Sequence, residues 1–177
     1  MLGSLFYRFA LWLVGLGAWI MPAAGQDPLR RVEEDLAQRF AALLHDAPAR
    51  VAERMSADPS KVLLLDVRSE AEFAVSRIPG AIHVDAKVRP DAFRERFASL
   101  VDGRDVVAYC SVGQRSSRFA TRLQSTLAAA GAASVGNLSG GIFRWHNERR
   151  NLVDDAGPSV RIHPFNAYWA RFLLPSL

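Results

Sequence analysis

The chain has 177 residues, with 22 Lys and Arg against 18 Asp and Glu and a formal net charge of +4 at pH 7. Half of it is hydrophobic, enough to bury the core of one domain of ordinary size. No block of like charge and no basic stripe interleaved with aromatics supports nucleic-acid binding, and a single cysteine excludes an internal disulfide and a thiolate metal cage.

Residues 9–25, FALWLVGLGAWIMPAAG, carry no charge, follow Arg8 and end in small residues before Gln26. A positive start, an apolar middle and a small-residue end describe a secretory signal peptide. The run is short against the about 20 apolar residues of a membrane span, but it also suits an uncleaved anchor. Arg8 on one side and Arg30–Arg31 on the other leave the orientation of such an anchor open. The expected location is exported and periplasmic, with a mature start near Gln26. Attachment to a membrane is expected only if residues 9–25 remain.

Pro28 opens a predicted helix, and Val32, Leu36, Phe40, Leu43 and Leu44 recur at helical spacing. Pro48 interrupts the pattern, a second short helix is predicted from Ala49 to Met55, and residues 57–60 form a turn. Residues 26–57 thus read as a helical N-terminal extension, with Glu33, Glu34 and Asp35 on a solvated face. Val62 to Leu65 is a continuous apolar run ending in Asp66, as in a parallel strand buried on both faces. Ser69 with Glu72 three residues later is a capping box, a context that speaks against Glu70 and Glu72 as a catalytic carboxylate pair.

Residues 78–81 form a turn and 81–85 a second strand. Pro90 to Leu100 is a predicted helix with Phe93 and Phe97 on one face. Asp105 to Cys110 is a third strand. A helix follows from Ser116 to Ala130, with Phe119, Ala120, Leu123 and Leu127 inward and Gly131 ending it. Residues 132–138 form a fourth strand, Gly140–Gly141 a tight turn, and Ile142 to Arg149 a helix. This alternation predicts an α/β fold with a mainly parallel central sheet flanked by helices. Residues 153–177 form an aromatic tail expected to pack on the domain, with lining a pocket or meeting a membrane surface the alternatives for Tyr168 and Trp169, and Trp145 reads as core. His45, His83, His146 and His163 are scattered without ligand spacing, so no zinc site is predicted.

Cys110 ends the third strand. In open α/β sheets ligands bind beyond the carboxyl ends of strands. Ser111, Val112, Gly113, Gln114 and Arg115 then lead into a helix, whose N-terminal backbone N–H groups form an anion cradle. Gly113 lets the backbone turn, Arg115 adds positive charge and Ser116 is placed to cap the helix. A helix N-terminus and a nearby cation favour a thiolate over a thiol. Cys110 is therefore a candidate nucleophile beside a pocket for an anion, rather than an inert core thiol.

With these residues assembled, the chain resembles the rhodanese-like superfamily over about residues 58–152. Four segments match in order. LLLDVRSEAEF (63–73) resembles the family's opening strand and Asp-x-Arg signature, and SRIPGA (76–81) its His-Ile-Pro-Gly-Ala turn. YCSVGQRSS (109–117) resembles the Cys-x-x-Gly-x-Arg-Ser active loop, and LSGGIFRWHN (138–147) the closing Gly-Gly-x-x-x-Trp. One departure is Arg77, where the turn usually carries His.

The resemblance implies a sulfurtransferase. Cys110 would take sulfane sulfur from a small anionic donor such as thiosulfate, hold it as a persulfide, and pass it to a thiol, to cyanide or to a protein acceptor. It implies that Arg115 orients the donor and fixes the loop, that Asp66 and Arg68 brace the loop, and that no metal or organic cofactor takes part. The competing readings are a persulfide carrier or binding module that does not turn over, a Cdc25-type phosphatase and a redox-sensing thiol. The phosphatase loop is Cys-x5-Arg, whereas Cys110 to Arg115 is one residue shorter and makes a smaller cradle. A redox sensor of the intramolecular kind needs a resolving cysteine that this chain lacks.

Overall fold

The computed structural model describes residues 27–175, so the apolar segment 9–25 lies outside the described residues. The apolar run Val62–Asp66 forms β2, with all five residues buried. β2 pairs in parallel with β4 (Asp105–Tyr109) on one side and with β3 (Ile82–His83) on the other. β5 (Ser134–Leu138) lies beyond β4, and β1 (Leu44–Asp46) closes that edge. The sheet order is β1-β5-β4-β2-β3, parallel throughout.

Side chains alternate across these strands and so feed two cores. Val62, Leu64, Val107 and Tyr109 pack with α1 (Pro28–Arg39), α2 (Pro48–Ala57) and α6 (Gly141–Asn147). Leu63, Leu65, Val106, Ala108 and Cys110 pack with α4 (Pro90–Val101) and α5 (Gln114–Ala129). The short α3 (Glu70–Val75) follows β2 and carries the predicted capping box between Ser69 and Glu72. After β3 the chain returns across β2 to form β4. The strand order therefore reverses between β2 and β4, where an open α/β sheet leaves a crevice at its carboxyl end.

Three elements differ from the sequence reading. Leu44 does not extend a helix; it begins β1, which pairs with Gly136 to Leu138 of β5. Three residues are too few to show alternation, and the apolar Leu43–Leu44 pair fits either period. Pro48 starts α2 rather than only breaking a pattern, because the residue before it is held extended. Glu33 is not a solvated residue: both of its oxygens accept from Arg144 of α6, at 2.7 and 3.0 Å, and tie α1 to that helix.

Residues 152–159 form an antiparallel hairpin of β6 (Leu152–Asp154) and β7 (Gly157–Ser159). Pro158 hides β7 in the sequence, since proline is depleted from strands other than edges. The tail then makes α7 (Ala167–Ala170), and Phe172 enters the first core at 7% exposure.

Residues 28–57 supply a strand of the central sheet and, through Leu29 and Val51, part of a core. Leu29→Ala removes a side chain with no exposure. It should cost about 2–5 kcal/mol in urea unfolding while the transition stays single. An unchanged midpoint would mean that α1 is an appendage.

Candidate active site

Cys110 follows the last residue of the central strand β4 and is 1% exposed. Its Sγ accepts a hydrogen bond from the Gly113 N–H at 3.3 Å. Gly113 stands at φ +98°, a left-handed conformation that lets the chain reverse from strand into helix within three residues. The first hydrogen bond of α5 runs from Ser117 N–H to the Gly113 carbonyl at 3.0 Å. The N–H groups of Gln114, Arg115 and Ser116 therefore precede the helical ladder, as in an anion-binding helix start.

The loop backbone is pinned from outside by α6. Ile142 N–H donates to the Cys110 carbonyl at 2.9 Å, and Phe143 N–H donates to that of Ser111 at 3.0 Å. This approach requires Gly141, at φ +56°: a Cβ there would lie 2.7 Å from the Ser111 carbonyl carbon. The Gly-Gly pair read as a turn is thus what seats a helix directly on the cysteine loop.

A buried carboxylate fixes the other side. Glu72, whose side chain is 3% exposed, accepts from Arg115 through both oxygens, at 2.8 and 2.9 Å. The Ser111 hydroxyl donates to Glu72 Oε1 at 3.0 Å, and Arg115 Nη2 also donates to Ser111 Oγ at 3.0 Å. Glu72 Oε2 meanwhile takes the backbone N–H and hydroxyl of Ser69. Burial opposes ionisation of Glu72, but the hydrogen bonds and charge of Arg115 and the Ser69 N–H prevail and lower its pKa to about 2. For Arg115 burial favours the neutral form, yet Glu72 and the proximity of Cys110 raise its pKa.

The predicted site residues separate into those on the loop and those beside it. Ser111 and Val112 are buried, Gln114 and Arg115 half-buried. Ser116 does not cap the helix, because the helix starts two residues earlier than predicted, at Gln114, and Gly113 holds the cap position. Ser116 is instead fully buried and donates to Asn137 Oδ1 of β5 at 2.6 Å. Asp66 and Arg68 form an ion pair of 2.6 Å with neither side chain exposed. Their further bond goes from Arg68 Nη2 to the Ser76 carbonyl at 2.6 Å. The pair thus holds the 76–78 turn, where the Ile78 N–H donates to the Tyr109 hydroxyl at 3.2 Å. Its bonds reach the strand below the cysteine, not the loop itself.

Two residues of the site, Glu72 and Phe165, have no site signal in the sequence, and a third, Trp169, lines a pocket where packing is the favoured expectation. Glu72 was read only as a cap. A carboxylate has two oxygens, and the cap uses one. Phe165 and Trp169 of the tail join Cys110, Ser111, Val112, Gln114 and Arg115 around a cavity of about 60 Å³. The Arg115 guanidinium carbon lies 4.8 Å from the centre of the Phe165 ring. Nothing in the spacing of the tail announces that contact.

A sequence model of the rhodanese-like domain matches residues 47–148. The chain belongs to the rhodanese-like domain family. A sulfurtransferase of Allochromatium vinosum is 37% identical over 101 residues, covering 57% of this chain and 87% of that protein. An adenylyltransferase and sulfurtransferase of Drosophila virilis is 32% identical over 99 residues, covering 54% of this chain but 20% of that protein. Among solved structures, a thiosulfate sulfurtransferase of Pseudomonas aeruginosa superposes with a TM-score of 0.53 at 21% identity, over 82% of this chain and 26% of that one. A Bacillus halodurans protein gives 0.52 at 20% identity, over 75% and 94%. The solved structures speak for the rhodanese fold.

At the one departure from the family turn, Arg77 of this rhodanese-like chain stacks on Phe73 at 4.7 Å and pairs with Asp155 of the hairpin at 2.7 Å.

The lowered Glu72 pKa sets a pH dependence. Its ionisation contributes stability fully above the ordinary carboxylate value of 4.5, and that contribution is lost as pH falls toward about 2. Glu72→Gln should cost about 2 kcal/mol at pH 7. The gap between wild type and variant in denaturant unfolding should shrink from pH 5 downward. A gap of the same size at every pH would contradict the assignment.

Proposed function

We propose that this protein is a sulfurtransferase that carries sulfane sulfur on Cys110 as a persulfide. The observation that carries the reading is the placement of Cys110, the chain's only cysteine, at the end of the central strand. Its Sγ accepts a loop N–H there, and a helix opens on the same loop. The family match and the sulfurtransferase relatives support the reaction class.

The Cys110 thiolate attacks the outer sulfur of a donor such as thiosulfate. A bond forms between Cys110 Sγ and that sulfur while the S–S bond to the sulfite group breaks, and sulfite leaves with the electron pair. The persulfide anion then rests against the backbone N–H groups of Gly113 and the start of α5. An acceptor thiolate, or cyanide in an assay, attacks the outer sulfur and returns the electron pair to Cys110. No external oxidant or reductant enters the cycle.

Gly113 permits the loop geometry. Arg115 supplies positive charge beside Sγ, and its bidentate pairing with Glu72 fixes the loop. Ser111 and Ser116 hold the two ends, Val112 fills the core beneath, and Gln114 borders the entrance. The reading extends to export, with residues 9–25 as signal or anchor. It expects a mature N-terminus near Gln26 or retention in the membrane fraction.

Steady-state transfer from thiosulfate to cyanide tests the proposal. Parallel double-reciprocal lines are expected, as for two half-reactions through a covalent intermediate. Cys110→Ser should fall to background with its unfolding midpoint preserved. Turnover retained in that variant contradicts the proposal. Sulfur loading without turnover replaces the enzyme by a carrier.

A further inference from the structure

The tail meets the cysteine loop by a specific local design. The Phe165 N–H donates to His163 Nδ1 at 3.0 Å, and Phe165 adopts φ +64°, a left-handed conformation that is costly for an aromatic residue. Asn166 then caps α7 by accepting the Trp169 N–H at 3.1 Å. The next turn is anchored on α6: Asn147 donates to the Phe172 carbonyl at 2.8 Å and accepts from the Leu174 N–H at 2.9 Å. Trp169 packs on Phe172 with ring centres 5.1 Å apart. One helix, α6, thus holds both the backbone of the Cys110 loop and the aromatic segment that covers it.

This arrangement has a steric consequence. Among the described residues, Cys110 borders a cavity of about 60 Å³ that Phe165 and Trp169 of the tail also line. Trp169 and Gln114 also border a second cavity of about 250 Å³ against Val32 and Leu36 of α1. Trp169 and Gln114 line both cavities. Phe165 is 44% exposed, so burial of its own surface does not explain its strained backbone, whereas its position over Arg115 does. The ring also covers one face of a guanidinium whose amino groups are already engaged by Glu72 and Ser111.

We propose that Phe165 and Trp169 are the size-selecting residues of the Cys110 site. They admit sulfur donors and acceptors whose reacting sulfur ends a narrow group of a few atoms, and they exclude the broad surface of a folded protein. The assignment rests on the sulfur-transfer reading for the nature of the substrate, but not for the barrier itself. Small inorganic sulfane compounds and the unbranched thiol end of a low-molecular-weight thiol fit the opening. A cysteine held flat on a protein surface does not.

The test is alkylation of Cys110, which needs no sulfur chemistry. The rate constants for iodoacetamide and for a fluorescein-bearing maleimide are measured by intact mass on the wild type, Phe165→Ala and Trp169→Ala. The ratio of small to bulky reagent removes any change in intrinsic reactivity. It should fall by at least about tenfold in Phe165→Ala, through faster reaction of the bulky reagent. Phe165 lies outside the buried core, so that variant keeps its fold. Trp169→Ala should lower the ratio further by joining the two cavities. A ratio that stays at the wild-type value in both variants overturns the proposal. A ratio that falls while the wild type shows no transfer from any sulfane donor overturns the sulfur-transfer reading and leaves the barrier standing.

Discussion

Glu72 is a carboxylate removed from water, and such a group is tolerated only when donors surround it. Ser69, Ser111 and Arg115 are those donors, and they come from the start of α3, the cysteine loop and the first turn of α5. The ion pair is not needed to explain stability, since buried pairs often return little net energy. Its effect is geometric. With Glu72 ionised, Arg115 and Ser111 each have one favourable place, and the backbone between them is thereby held in the shape of a cradle. The second restraint, from Ile142 and Phe143, acts on the carbonyls of the same loop. Between the two, the path of residues 110–116 is determined before any substrate arrives. Preorganised donors stabilise charge without reorganising as it develops, and that is what the proposed persulfide requires.

The same restraints define what Arg115 does. Its positive charge stands near Cys110, but both amino groups are committed to Glu72 and Ser111, and its open face lies under Phe165. The cation therefore acts as a fixed part of the loop. On the proposed reading, recognition of a donor falls mainly to backbone N–H groups and to the shape of the opening.

Much of this was legible in the sequence because the signals were long or chemically specific. Val62 to Leu65, a short apolar run bounded by turn residues, suits a strand buried on both faces. The Ser69–Glu72 capping box and the Cys110–Ser116 loop carry their geometry in the residue types themselves. The helix of α5 was legible from Phe119, Leu123 and Leu127, though its start was not. Serine is the usual signal for a cap, and here a glycine with positive φ took its place. The rest depended on tertiary contacts. β1 is too short to show a period, and β7 contains a proline. Glu33 looks like a surface charge and Glu72 like a cap alone until Arg144 and Arg115 are brought to them. Phe172 of the tail lies in the core, and the tail's place beside Cys110 follows from its hydrogen bonds to Asn147 on α6, which no local pattern encodes.

The most direct measurement is the intact mass of the reduced protein after incubation with thiosulfate, then after addition of a thiol, with Cys110→Ser in parallel. The account expects the wild type to gain the mass of one sulfur atom, to lose it to the thiol, and to repeat the cycle, while the variant keeps its mass throughout. A wild type that takes up no sulfur from thiosulfate or from any other sulfane donor, with Cys110 still open to alkylation, would contradict it.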